Sequence, residues 1–226
     1  MKNLKNLALA LSSLLVAGVT AFSAASVSAQ EIKGDAKAGE QKNAMCIGCH
    51  GIPGYKASFP EVYQVPKISG QSAAYISAAL QAYQKGDRRH PSMRSIAESL
   101  SEQDIADLAA YYATHGQDQA AVAQAAPAPS AKVTELLNKG ACFSCHGEGF
   151  AKPIDASYPK VAGQPADYLF VALKSYKTDP HATWGRVNGV MGGIAKQFSN
   201  AELKELSNYI STLPGELKTV PESRFR

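Results

Sequence analysis

Two five-residue stretches carry most of the chemistry this chain can do: "CIGCH" at 46–50 and "CFSCH" at 142–146. Between them they use all four cysteines and two of the five histidines. Thiols three positions apart lie along one side of a helical turn, and the next residue swings an imidazole toward the middle of the same edge. A zinc site would want the two cysteine pairs close together, whereas here they stand in separate halves of the chain. Two disulfides, or a redox C-x-x-C, have no use for His50 and His146, and a redox C-x-x-C expects a βαβ setting that the chain lacks. Covalent haem attachment uses every one of these groups. Cys46 with Cys49, and Cys142 with Cys145, would each add to the two vinyl groups of a porphyrin, and His50 and His146 would bind iron from one face.

Haem iron has a second axial position. Met1 lies in the leader and Met45 directly precedes Cys46, too close to reach round the ring. That leaves Met93 and Met191, 43 (93 − 50) and 45 (191 − 146) residues after their histidines and each just ahead of the last helix of its half. One methionine per half at a shared position is hard to explain as packing, so both are the expected sixth ligands. The remaining histidines, His90, His115 and His181, are the rival ligands, and His90 and His181 stand in the methionine-bearing loops, each beside a proline. An iron held by His and Met is closed to substrate and has a raised potential, so the expectation is electron transfer without turnover and without catalytic residues. Arg88, Arg89, Arg94, Arg186 and Trp184 are candidate donors to haem propionates, although any one of the arginines, taken singly, reads first as an ordinary exposed charge.

The elements that must position these groups occur twice. "PKISGQSAAYISAALQAY" (66–83) matches "PKVAGQPADYLFVALKSY" (159–176), and "SEQDIADLAAYY" (101–112) matches "SNAELKELSNYI" (199–210). Ile105, Leu108, Ala109 and Tyr112, like Leu203, Leu206, Ile210 and Leu213, follow helical spacing. Ser101 with Asp104, and Ser199 with Glu202, have capping-box spacing. A second helix in each half, Tyr75 to Tyr83 and Tyr168 to Tyr176, places its tyrosines on one face, where core packing is the expected role. No alternating strand is evident, so the fold class is all-α with long loops.

"QDQAAVAQAAPAPSA" (117–131) has too few core-forming side chains to be anything but a linker. It divides the chain into domains at 30–116 and 132–226, each near the small end of what folds alone. Residues 1–29 combine Lys2 and Lys5, an apolar run and small residues at Val27 and Ala29, the pattern of a signal peptide for export to a periplasm. Without Lys2 and Lys5 the net charge falls from +4 to +2, with no long basic run, which argues against nucleic acid as a partner. The first domain carries nine basic and nine acidic residues and the second twelve and nine, so opposite ends should prefer different partners.

Tandem C-x-x-C-H domains, each with "PK-x-x-GQ" before a Tyr-rich helix, then a methionine and a closing "S-x-x-[DE]" helix, resemble the periplasmic dihaem cytochromes c of the cytochrome c4 family. The opening "GDAKAGEQKNAMCIGCHG" (34–51) is similar to the first helix of that family. The resemblance spans essentially all of the chain after the leader. It implies two class I cytochrome c folds and two covalent haem c groups, with iron held by His50 and Met93 in one domain and by His146 and Met191 in the other. It also implies electron transfer from a quinol-oxidising cytochrome bc complex toward a terminal oxidase, by a protein that is soluble or peripheral at a membrane surface. The alternative is the electron-accepting subunit of a flavoprotein dehydrogenase, such as a sulfide-oxidising enzyme. The Ala/Pro linker is longer than the family's close packing of its two domains requires.

Overall fold

The structure is a computed structural model that describes residues 32–117, 125–177 and 181–222. The proposed signal peptide and residues 118–124 of the linker lie outside the described residues. In the first domain, helices α1 (Ala36–Lys42) and α2 (Ala44–His50) meet at Asn43 and are followed by a two-residue ladder of β1 (Lys56–Ala57) and β2 (Tyr63–Gln64). Next come α3 (Ala73–Lys85), β3 (Arg88–Arg89), α4 (Pro91–Glu98) and α5 (Glu102–Thr114). The second domain runs α6 (Ala131–Lys139), α7 (Phe143–His146), a short 3-10 turn, α8 (Ala166–Lys177), β4 (Gly185–Arg186), α9 (Gly189–Ala195) and α10 (Asn200–Thr212). Among the described residues no helix is long and apolar enough to cross a membrane.

Local chemistry accounts for most boundaries. Ser101 and Ser199 each form a complete capping box, with Asp104 and Glu202 closing back on the cap amide. Gly86 ends α3 in the left-handed conformation that a side chain would resist. Two expectations are corrected. The methionine segments are short helices, because Pro91 preorganises the first turn of α4 and His90 and Asn188 cap α4 and α9. Short strands do exist, and one ladder joins the two domains: Arg88 lies opposite Arg186, and Arg89 opposite Gly185, in antiparallel register.

Each domain has its own core. In the first, Ile47, Ile76, Leu108, Ala109 and Tyr112 pack together. In the second, Val133, Leu136 and Leu137 of α6 meet Leu203, Leu206 and Ile210 of α10, with Phe150, Leu169 and Phe198 filling the same cluster. Despite the long linker, the domains pack face to face through matching contacts. Gln164 grips the backbone of Lys67 and Gln71 grips that of Lys160, the reciprocal pattern that a quasi-two-fold axis produces. The segment after α10 then crosses to the first domain. The Lys218 amide donates to Ser69 O, its ammonium donates to Gly116 O, and the Glu222 carboxylate accepts from Asn43 Nδ2 and the Tyr111 hydroxyl.

Candidate haem sites

Helix α2 carries Cys46, Cys49 and His50 within two turns, so one helix delivers both thiols and the imidazole. In the second domain the same groups sit on a shorter element. Cys142 caps the four-residue α7, and the chain reaches it through Gly140 and through Ala141 at φ +45°, a left-handed turn that costs a non-glycine residue roughly 1 kcal/mol. Helix α1 runs into α2 through Asn43, itself in the right-handed helical region, so the two motifs are reached by different backbone paths.

Both imidazoles are oriented by backbone. His50 Nδ1 lies 2.8 Å from Pro66 O and His146 Nδ1 lies 3.1 Å from Pro159 O. A carbonyl can only accept, so each ring carries its proton on Nδ1 and leaves the Nε2 lone pair free for a metal. Burial lowers the pKa of both rings, with the carbonyl contacts acting in the opposite direction, and this favours the neutral form that ligates iron. Burial also pushes the Cys46 thiol up to about 11 and the Cys142 thiol upward. Unattached thiols of that kind are poor nucleophiles at neutral pH, unlike a working redox C-x-x-C.

One continuous cavity of about 630 Å³ is lined by both motifs, by Met93 and Met191, and by Trp184. The methionines hold equivalent stations. Met93 N–H donates to the capping His90 Nδ1 at 3.4 Å, and Met191 N–H donates to the capping Asn188 Oδ1 at 2.9 Å. His90 therefore spends Nδ1 on the helix that carries Met93, and the ring also meets the backbone of Phe59. His181 is exposed and does not line the cavity.

Where the two domains meet, Arg88 and Arg186 stand side by side in the cavity wall. Arg88 donates to the hydroxyls of Tyr75 and Tyr168 at 3.1 and 3.0 Å, and Arg186 donates to those of Tyr176 and Tyr168 at 3.4 and 3.3 Å. Burial opposes ionisation of Tyr168, but Arg186 and Arg88 outweigh it and hold the phenol below its ordinary range. Among the described residues no carboxylate pairs with either guanidinium, and Arg88 Nε is buried without a partner. Two cations answered only by phenols suit an anionic ligand, and haem brings carboxylates as well as an apolar ring. The residues present therefore fit haem.

Of the other candidate donors, Arg94 pairs on the surface with Glu98, and Arg89 donates to His181 O. Tyr75, Tyr83, Tyr168 and Tyr176 all line this cavity; Tyr83 is buried and Tyr168 packs against the second core, as expected, and the hydroxyls of Tyr75, Tyr168 and Tyr176 also serve the arginines. Lys67, Gln71, Lys160 and Gln164 were not among the candidates. Their signal was the repeated "PK-x-x-GQ", visible as a repeat but silent about its partner.

The cytochrome c family model matches residues 36–115 and 130–214, one match per domain. Cytochrome c4 of Pseudomonas aeruginosa is 30% identical over 212 residues, covering 91% of this chain and 98% of the relative. A solved structure of cytochrome c4 from Acidithiobacillus ferrooxidans superposes with a TM-score of 0.57 at 26% identity, covering 76% of this chain and 99% of that one. A thiosulfate dehydrogenase electron acceptor of Stutzerimonas stutzeri is 29% identical over 181 residues, covering 74% of this chain and 78% of its own length. The paired motifs fit two covalently bound haem c groups, one in each domain. Two family matches in tandem, joined by relatives that align almost from end to end, place the chain in the cytochrome c4 family of dihaem electron carriers.

Proposed function

We propose that the protein passes single electrons between redox proteins of the periplasm, with iron held by His50 and Met93 in the first domain and by His146 and Met191 in the second. The observation that carries this reading is the placement of the two methionines. Each sits in a short helix whose capping side chain takes the methionine's own amide, on the wall of the cavity that the fixed imidazoles also line. Bound haem supplies a one-electron couple. The chain supplies the enclosure, the Nδ1–H bonds that orient each imidazole, and the guanidiniums that meet the propionate charge. His and Met together would hold the haem with no position left for a substrate, so that it would serve electron exchange with partner proteins rather than turnover.

The first reading is a route from a quinol-oxidising cytochrome bc complex to a terminal oxidase, taken from the resemblance to the cytochrome c4 family. A second reading makes the protein the electron-accepting partner of a dehydrogenase. The relative named for accepting electrons from thiosulfate dehydrogenase favours it, and widens the alternative from a sulfide-oxidising flavoprotein to sulfur-compound dehydrogenases more generally. The unequal charge of the two domains suits either reading, since it steers two partners to different ends.

Visible spectra of the oxidised and reduced protein test the site. Two haems per chain, each with the weak near-infrared-edge band of a methionine–iron(III) bond and neither binding carbon monoxide, are expected. An open iron or a missing band would sink the ligand assignment. Stopped-flow reduction by a purified cytochrome bc complex and by a thiosulfate dehydrogenase, across ionic strengths, then separates the two routes. The productive donor should react faster at low salt.

A further inference from the structure

The hydrogen bonds that orient the two imidazoles do not end inside their own domains. Pro66 C=O, which accepts from His50 Nδ1–H, belongs to the same peptide group as the Lys67 N–H, and that N–H donates to Gln164 Oε1 of the other domain at 2.9 Å. The mirror arrangement is complete. Pro159 C=O accepts from His146 Nδ1–H, and the Lys160 N–H of that peptide donates to Gln71 Oε1 at 3.0 Å. Each glutamine also donates through Nε2 to the following carbonyl, Gln164 to Lys67 O at 2.7 Å and Gln71 to Lys160 O at 2.9 Å. Those pairings fix the orientation of both amides, because only Oε1 can accept from an N–H and only Nε2 can donate to a carbonyl. Both glutamines are buried, with 3% of Gln71 and 4% of Gln164 exposed.

We propose that Gln164 and Gln71 are positioning residues that act across the domain boundary: Gln164 tunes the haem on His50, and Gln71 tunes the haem on His146. The proposal rests on His50 and His146 being the iron ligands, and goes beyond it. A peptide whose N–H is accepted by a buried amide oxygen is polarised along its length, and its own carbonyl becomes a stronger acceptor. A stronger acceptor at Nδ1–H raises the electron density at Nε2, which favours oxidised iron and lowers the potential. Each domain therefore contributes to its neighbour's redox poise through a single peptide group. Separating the domains would remove both contributions together.

The test uses the complete dihaem protein. Visible spectra of the wild type come first, because a failure of His/Met ligation would show there before any variant is made. Gln164→Met keeps length and removes the acceptor, and Gln71→Met does the same in mirror image. Potentiometric titration followed by NMR, with each haem assigned through its methionine methyl resonance, reads both potentials.

Gln164→Met should raise the potential of the haem on His50, and Gln71→Met that of the haem on His146. Each should change the oxidised-to-reduced ratio about threefold at fixed poise, about 28 mV at 59 mV per decade, and the other haem should move less. In the reduced protein the Nδ1–H proton of His50 should shift upfield in Gln164→Met, while that of His146 stays in place. Gln164→Glu keeps an acceptor for the Lys67 amide and should return the His50 proton to at least its wild-type position, even if X-ray scattering shows that Gln164→Met has loosened the domains. Equal shifts of both haems in each variant, a shift of the haem in the glutamine's own domain, or an unmoved Nδ1–H proton would each overturn the relay.

Discussion

The two domains fold alike but close their terminal helix crossing in different ways. Helix α1 of the first domain offers α5 no large apolar side chain. It approaches so closely at Gly39 that a Cβ there would stand 2.1 Å from Asp107 O and 2.7 Å from Tyr111 Cβ. The crossing is fastened by charge: Lys42 Nζ lies 2.7 Å from Asp104 and 2.6 Å from Asp107, and Asp107 also accepts the Asp35 amide at 2.8 Å. Helix α6 of the second domain instead buries Val133, Leu136 and Leu137 against α10. Directional contacts fasten one copy and buried area the other, so the two copies should fail under different insults.

The sharpest break is expected in the apolar copy. Leu136 is fully buried, and Leu136→Ala should cost about 2–5 kcal/mol. The loss should appear as faster hydrogen exchange in α6 and α10, with α1 and α5 less affected. The corresponding break in the polar copy is Gly39→Ala, which forces α1 off the α5 backbone at about 1–3 kcal/mol and should reverse that exchange pattern.

Acid should separate the copies without any mutation. Hydrogen bonds from Lys42 and then Ser101 hold the Asp104 carboxyl at about 2, and Lys42 with the Asp35 amide holds Asp107 below its ordinary value. Folded carboxyls that titrate lower than their unfolded value of about 3.9 stabilise fully above it, and the contribution is lost as pH falls toward 2. Glu202 mirrors Asp104 through its own cap, but the residue that mirrors Asp107 is the exposed Glu205. Methyl resonances of Leu108 should thus report loosening at a higher pH than those of Leu206. The smallest effect concerns the methionine helices. Gly193 in α9 has open space around its Cβ position, and Gly193→Ala should stabilise that helix by about 0.5–1 kcal/mol. If Met191 is the iron ligand proposed above, a higher temperature for loss of its methionine–iron band would register it.

Much of this was legible because it is local. The cysteine motifs, the capping boxes at Ser101 and Ser199 and the buried positions Ile105, Leu108, Leu203 and Leu206 each depend on residues a few positions apart. What escaped is long-range. Arg88 reads as one of several charges in "DRRH" until β4 pairs with it from the other domain. Tyr168 has the spacing of a core residue, and only the fold reveals that its hydroxyl meets two guanidiniums. The short helix at Met191 was hidden by "GVMGG", whose three glycines argue against a helix that the Asn188 cap nevertheless supports. Gln71 and Gln164 were seen as a repeat, but a repeated residue does not say that it faces its own copy.

The segment after α10 gives the molecule an order of assembly. Val220 packs at Gly116 and runs past Gly51, beside the helix that bears Cys46, Cys49 and His50, while Glu222 ties down Asn43 and Tyr111. A chain emerging from its N-terminal end presents the first attachment motif long before these residues arrive, and domains tend to fold in that order. For that interval the first motif stands uncovered on one side. These residues follow α10 in the chain, so the first domain gains its last contacts only after the second domain's closing helix has been made.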